Sequence, residues 1–111
     1  MEKIELYRAH IQKVIRESGR VKPAFGDVKM QPIFDTEHDH YQLTYVGWHG
    51  RRRKYGCLMH LNIANGKIWI QHDGTEVGIA NELVELGVPK EDIVLAYHPP
   101  YKRPYTGFAV G

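Results

Sequence analysis

Apolar residues fall at Ile4, Tyr7, Ile11, Val14 and Ile15, three or four positions apart, with Lys3, Arg8, Lys13 and Glu17 between them. That spacing is the period of an amphipathic helix. It predicts a helix over about Glu2 to Ser18, with Gly19 placed to end it in a left-handed cap. A polar connector, RVKPAFGD, follows and holds Pro23 and Gly26. From Val28 the period changes to two. VKMQPIFD reads as a strand with Val28 and Met30 on one face. Pro32 has no N–H to give a ladder, so this strand belongs at a sheet edge or is bulged there. Tyr41, Leu43 and Tyr45 alternate with Gln42 and Thr44 in a second strand that runs on through VGWHG. RRRK interrupts, and then Tyr55, Cys57, Met59, Leu61 and Ile63 alternate without a break in a third. Asn65-Gly66 is a strong hairpin signal, because both turn residues need positive φ. KIWIQH supplies the fourth strand.

The helical period then returns. Ile79, Ala80, Leu83, Val84 and Leu86 make an apolar face, and Gly87 and Pro89 end it. Asp73 or Thr75 is placed to cap its start, and Glu76 stands in a capping-box relation to Asp73. DIVLAYH is either a last strand or a packed segment. The tail, PPYKRPYTGFAVG, carries three prolines and three aromatics and reads as extended and packed on something. Two helices with one apolar face each need a common partner, and one face of the sheet supplies it. The fold class is therefore α+β: an N-terminal helix, a four-stranded antiparallel meander, a second helix and a short C-terminal segment.

Composition narrows this picture. The 111 residues make one domain, residues 1–111, and 42% apolar with 25% charged residues is a globular balance. A net charge of +2 makes the chain no polycation, so any nucleic-acid contact rests on a local patch. Cys57 is the only cysteine, which excludes an intrachain disulfide and favours a reducing compartment. MEKIELYRAH is charged throughout and does not read as a signal peptide, and no apolar run approaches the roughly 20 residues of a membrane span. The expectation is a soluble cytoplasmic domain.

The densest chemistry lies in DTEHDHYQ, Asp35 to Gln42. On an extended backbone His38 and His40 point to one side and Asp39 to the other. Two imidazoles need a third or fourth ligand to hold zinc, and His49, His60, His72 and His98 stand at no fixed metal spacing. The run lies where a hairpin loop belongs, so a turn is the stronger reading and no functional metal is expected. HDGTE, His72 to Glu76, offers an imidazole and two carboxylates, but Asp-Gly turns the chain and Asp, Thr and Glu cap helices. Ser18 is the only serine and sits at a helix end, and Cys57 alternates with core residues. No catalytic constellation emerges, and no cofactor is implied. Arg51, Arg52, Arg53 and Lys54 form a basic patch at a hairpin tip, with Trp48 and Tyr55 near for stacking. They are the candidate nucleic-acid contact, weighed against a solvated loop whose charges discourage edge pairing. Tyr97, Tyr101, Tyr105 and Phe108 are the candidate protein interface, weighed against packing on the domain's own sheet.

Taken in order and spacing, VGW, YGCLMHLNI, GKIWIQHDGTEVGIANELVELGVPKEDIVL and HPPYKRPYTGFAV resemble the XisI family, also called fdxN element excision controlling factor proteins. The resemblance spans nearly the whole chain. Its most specific part is WIQHDGTE followed by GVPKEDIVL. It implies a cyanobacterial setting, in which such proteins accompany XisH-type partners in programmed excision of a DNA element during heterocyst differentiation. A separate recombinase cuts and rejoins the DNA, and the family carries no established catalytic residues. The resemblance implies an accessory factor and supplies an XisH-type protein as candidate partner. With the near-neutral charge and the aromatic tail, the expectation is action through protein binding, in a complex or homo-oligomer, with only weak DNA contact. The alternative is direct DNA binding through Arg51, Arg52, Arg53 and Lys54.

Overall fold

The structure, a computed structural model, describes residues 2–20, 27–76 and 78–111. The connector's Val21 to Gly26 lies outside them. Helix α1 covers Lys3–Gly19 and buries Tyr7, Ile11, Val14 and Ile15, the stripe the spacing predicts. Ile11 and Ile15 are fully buried, which stabilises the fold by about 2 kcal/mol each relative to exposure. Gly19 is not a left-handed cap. It is the last helical residue, and Arg20 follows it in right-handed geometry at φ −80°. Its value is spatial, since a Cβ there would stand 3.3 Å from Leu43 and 3.6 Å from Pro32. Glycine lets the end of α1 press onto the sheet.

Strands β1 (Asp27–Asp35), β2 (His40–His49), β3 (Arg52–Ala64) and β4 (Lys67–Asp73) form the antiparallel meander, and Asn65 and Gly66 turn the β3–β4 hairpin at φ 55° and 76°. β1 is an edge strand, as Pro32 requires. The sheet has five strands, not four. After helix α2 (Ile79–Glu85) the chain forms a short 3₁₀ turn, Lys90–Asp92, and then β5 (Ile93–Leu95), which pairs parallel to β4. The crossover through α2 is what permits a parallel neighbour.

The core lies between the helices and one sheet face. Tyr41, Leu43, Met59, Leu61, Ile68, Ile70, Ile93 and Leu95 meet α1 and α2 there. The unbroken alternation of β3 misleads at its first half. The pairing Leu43↔Met59 is followed by Thr44↔Cys57, so Leu58 is an extra, bulged residue. A bulge reverses which face later residues take. Tyr55 and Cys57 therefore leave the core face, Tyr55 being 72% exposed and Cys57 half-buried.

At the start of α2, Gly78 holds the N-cap position and has no side chain to offer. Asp73 serves instead. Its carboxylate accepts from the Ile79 N–H at 2.8 Å and from the Thr75 N–H at 2.9 Å, and Thr75 Oγ1 accepts from the Gly78 N–H. Glu76 precedes the helix by too far to close a capping box, which needs it inside the first turn. The helix ends in a Schellman motif. Gly87 at φ 103° donates to the Val84 carbonyl, and the buried Val88 donates to that of Leu83. Asp73→Ala is expected to cost about 1 kcal/mol, read as a lower melting temperature with partner binding retained. Unchanged melting with lost binding would make Asp73 a contact residue.

Candidate functional site

The run Asp35–Gln42 turns the chain. Asp35 Oδ1 accepts the Glu37 and His38 N–H groups, and its other oxygen pairs with His38 Nδ1 at 2.9 Å. His38 is thereby committed to the turn. Asp39 sits at φ 57°, which aims its carboxylate at α1. There Arg8 grips it with two hydrogen bonds, 2.7 and 3.0 Å, and the buried Tyr41 hydroxyl donates at 2.8 Å. The Arg8 hydrogen bonds hold the Asp39 carboxyl below its ordinary range against the opposing effect of burial, with help from Tyr41. A depressed carboxylate stabilises the folded state fully above its unfolded value and loses that only as acid titrates it.

His38 and His40 do not share a side. His40 begins β2 on the outer sheet face, where its Nδ1 lies 3.4 Å from His60 Nε2, with His72 paired to His60 across the next strand. Burial first, then the neighbouring His40 and His72, lowers the His60 pKa, so the His60 ring is favoured neutral. Among the described residues no group of three or more His, Cys, Asp or Glu stands placed to hold a metal ion. Burial raises the Cys57 thiol pKa, which leaves it a poor nucleophile at neutral pH.

The basic patch is not confined to a tip. Residues 50 and 51 turn the chain, and Arg52, Arg53 and Lys54 lie on β3 itself. Arg53 stacks on two rings, its guanidinium carbon 5.3 Å from the Trp48 centroid and 5.9 Å from that of Tyr55. It also donates to the Gly47 carbonyl. Trp48 is 51% exposed. The structure thus brings together the patch and the aromatics that the sequence places near it.

The tail is not extended. Hydrogen bonds from Lys102 to Pro99, Tyr105 to Lys102 and Thr106 to Arg103 fold it through successive turns and a 3₁₀ segment, Arg103–Tyr105. Sequence reasoning missed what fixes it. The Arg103 guanidinium donates to the carbonyls of His98, Ala96 and Val110 and lies 5.7 Å from the Trp69 ring centroid. Its fork geometry suits several acceptors at once, and no local pattern announces that. Ala109 then bridges Val94 and donates to the Ile93 carbonyl at 2.8 Å, which covers the β5 edge. Phe108 packs against the core under Lys90, whereas Tyr97, Tyr101 and Tyr105 are 47%, 72% and 89% exposed. The four residues therefore do not form one patch, since Phe108 turns inward.

Another polar cluster ties α1 to the segment before β5. Asp92 accepts from the Tyr7 hydroxyl and pairs with Lys3 at 2.9 Å. It is structural, linking two distant stretches of chain.

A layer of two helices on one face of a mixed five-stranded sheet defines a small α+β domain. The family model for the XisI protein matches residues 1–110, and the chain belongs to the XisI family. It is similar to the crystal structure of a XisI-like protein from Anabaena variabilis ATCC 29413, with 42% identity, a TM-score of 0.90 and coverage of 99% of this chain and 100% of that one. It is also similar to the crystal structure of fdxN element excision controlling factor XisI from Anabaena variabilis ATCC 29413, with 35% identity, a TM-score of 0.86 and the same coverage of both chains. A comparison with curated protein sequences found no match.

Proposed function

We propose that the protein is a non-catalytic controlling factor for excision of a DNA element, and that it acts by binding another protein. The family and the relative that bears the name of an excision controlling factor support the role. The observation that carries the binding mode is the tail. Arg103 fixes its backbone to three carbonyls, yet Tyr101 and Tyr105 stand 72% and 89% exposed. A rigid backbone presenting tyrosine rings contributes contact area at little ordering cost. An XisH-type protein is the partner the family suggests, and a second copy is the alternative occupant.

Sedimentation of the purified protein with and without the XisH-type protein tests this. A complex, or a homo-oligomer, is expected to weaken at least tenfold when Tyr101 and Tyr105 become Ala, the scale of one interface hot spot. Gel shifts at physiological salt are expected to show only weak, salt-sensitive DNA binding. A monomer indifferent to that protein, but holding element-end DNA tightly through Arg51, Arg52, Arg53 and Lys54, would overturn the proposal in favour of direct DNA contact.

A further inference from the structure

We infer that the open side of β3, along residues 52–57, takes an added strand from another protein, one that carries Asp and Glu side chains. β3 has 13 residues and β4 only 7. β4 pairs with β3 from Met59 to Ala64, and beyond that the Leu58 carbonyl accepts the Gly74 N–H at 2.8 Å as the chain leaves for α2. Arg52 to Cys57 therefore have β2 on one side and, among the described residues, no strand on the other. Alternate residues of such a stretch direct their N–H and C=O groups outward, a template for strand addition.

The other edges are closed to this. Pro32 removes a donor from the middle of β1, and Ala109 sits against β5. The charges decide the occupant. Arg52, Arg53 and Lys54 line the open stretch and Arg51 adjoins it, and no described carboxylate forms an ion pair with Arg51, Arg52 or Arg53. A second copy pairing here would double the positive charge along the stretch and neutralise none of it. An acidic strand meets them as opposite charges. Nucleic acid would also suit the cations, but it makes no use of a bare strand edge. Tyr55, on β3 itself with Arg53 held over its ring, supplies fixed apolar area for the side chains of the added strand.

This surface is inferred without use of the tyrosine tail, so either reading stands if the other fails. The test uses the isotope-labelled full chain and three probes: a short peptide alternating Glu with Thr and Val, its Lys counterpart, and duplex DNA. The Glu peptide is expected to bind, to shift the amides of residues 52–57 and to slow exchange at alternate ones, while the Lys peptide leaves them unchanged. In the Arg52→Glu, Arg53→Glu double variant the preference is expected to reverse. Tyr101→Ala is expected to leave peptide binding intact. Failure of the Glu peptide to bind the wild-type chain would overturn the inference, whether or not the double variant folds. So would binding that maps to the tail, or duplex DNA that outcompetes the peptide without slowing any amide.

Discussion

Tyr41→Ala is expected to bring the domain close to unfolding at ordinary temperature. The side chain is fully buried between the sheet and α1, tilted against Phe34 at 5.8 Å. Truncating a buried aromatic costs about 3–5 kcal/mol through lost transfer energy and the cavity left behind. Here a second loss follows. The Tyr41 hydroxyl donates to Asp39, the carboxylate that Arg8 holds from α1. Burial first, and Asp39 second, push the Tyr41 pKa up to about 12, so the hydroxyl keeps its proton throughout the physiological range. Against a typical stability of about 5–15 kcal/mol for a domain, the variant loses a large share. Denaturant melts check it, with Tyr41→Phe as the comparison. The phenylalanine keeps the ring and loses only a hydrogen bond to a charged acceptor, for which about 2 kcal/mol is the expected cost. Equal losses in the two variants would place the weight on the hydroxyl and not on the packing.

The contrast between those two contributions shows where sequence reading reaches and where it stops. The core half of the argument is periodic. Tyr41 and Leu43 alternate in β2, and Ile11 and Ile15 recur in α1, so the faces that meet are written in the spacing. The polar half is not. Arg8 and Asp39 lie far apart in the chain, and what joins them is a single positive φ at Asp39 that aims the carboxylate at the helix. Asp35, Glu37 and His38 read as a turn and are one, since an Asp that accepts nearby N–H groups is local chemistry. The outer face was hidden for a different reason. One bulged residue, Leu58, reverses an alternation that looks perfect, and moves Tyr55 and Cys57 away from the core. That reversal also puts Tyr55 beside Arg53 and Trp48, so the same residue that misleads the core assignment assembles the basic, aromatic surface. The fifth strand escaped a firm assignment because three residues, Ile93–Leu95, are too few for a period to show.

Gly47→Ala is expected to detach the start of β1. Gly47 lies opposite Val28 in the β1–β2 ladder at φ 153°. A Cβ at that position would stand 2.0 Å from the Asp27 carbonyl oxygen and 2.7 Å from the Val28 Cα. Both atoms are backbone, so no side-chain rotation relieves the collision. Either β1 moves away or Gly47 leaves its conformation, and each breaks the ladder where the edge strand begins. Overpacking and a φ that L-residues avoid together cost roughly 2–5 kcal/mol. The damage is expected to be local. β1 brings Met30 and Phe34 to the core as partly buried residues, whereas β2, β3 and β4 carry its fully buried centre. Amide exchange checks this residue by residue. Protection is expected to fall first along Asp27 to Met30 and to hold at Leu61 and Ile70, with a lower melting temperature for the whole domain. A variant that melts like the wild type with β1 fully protected would show that the ladder accommodates a side chain at Gly47, and that the close approach of β1 to β2 is not what this glycine secures.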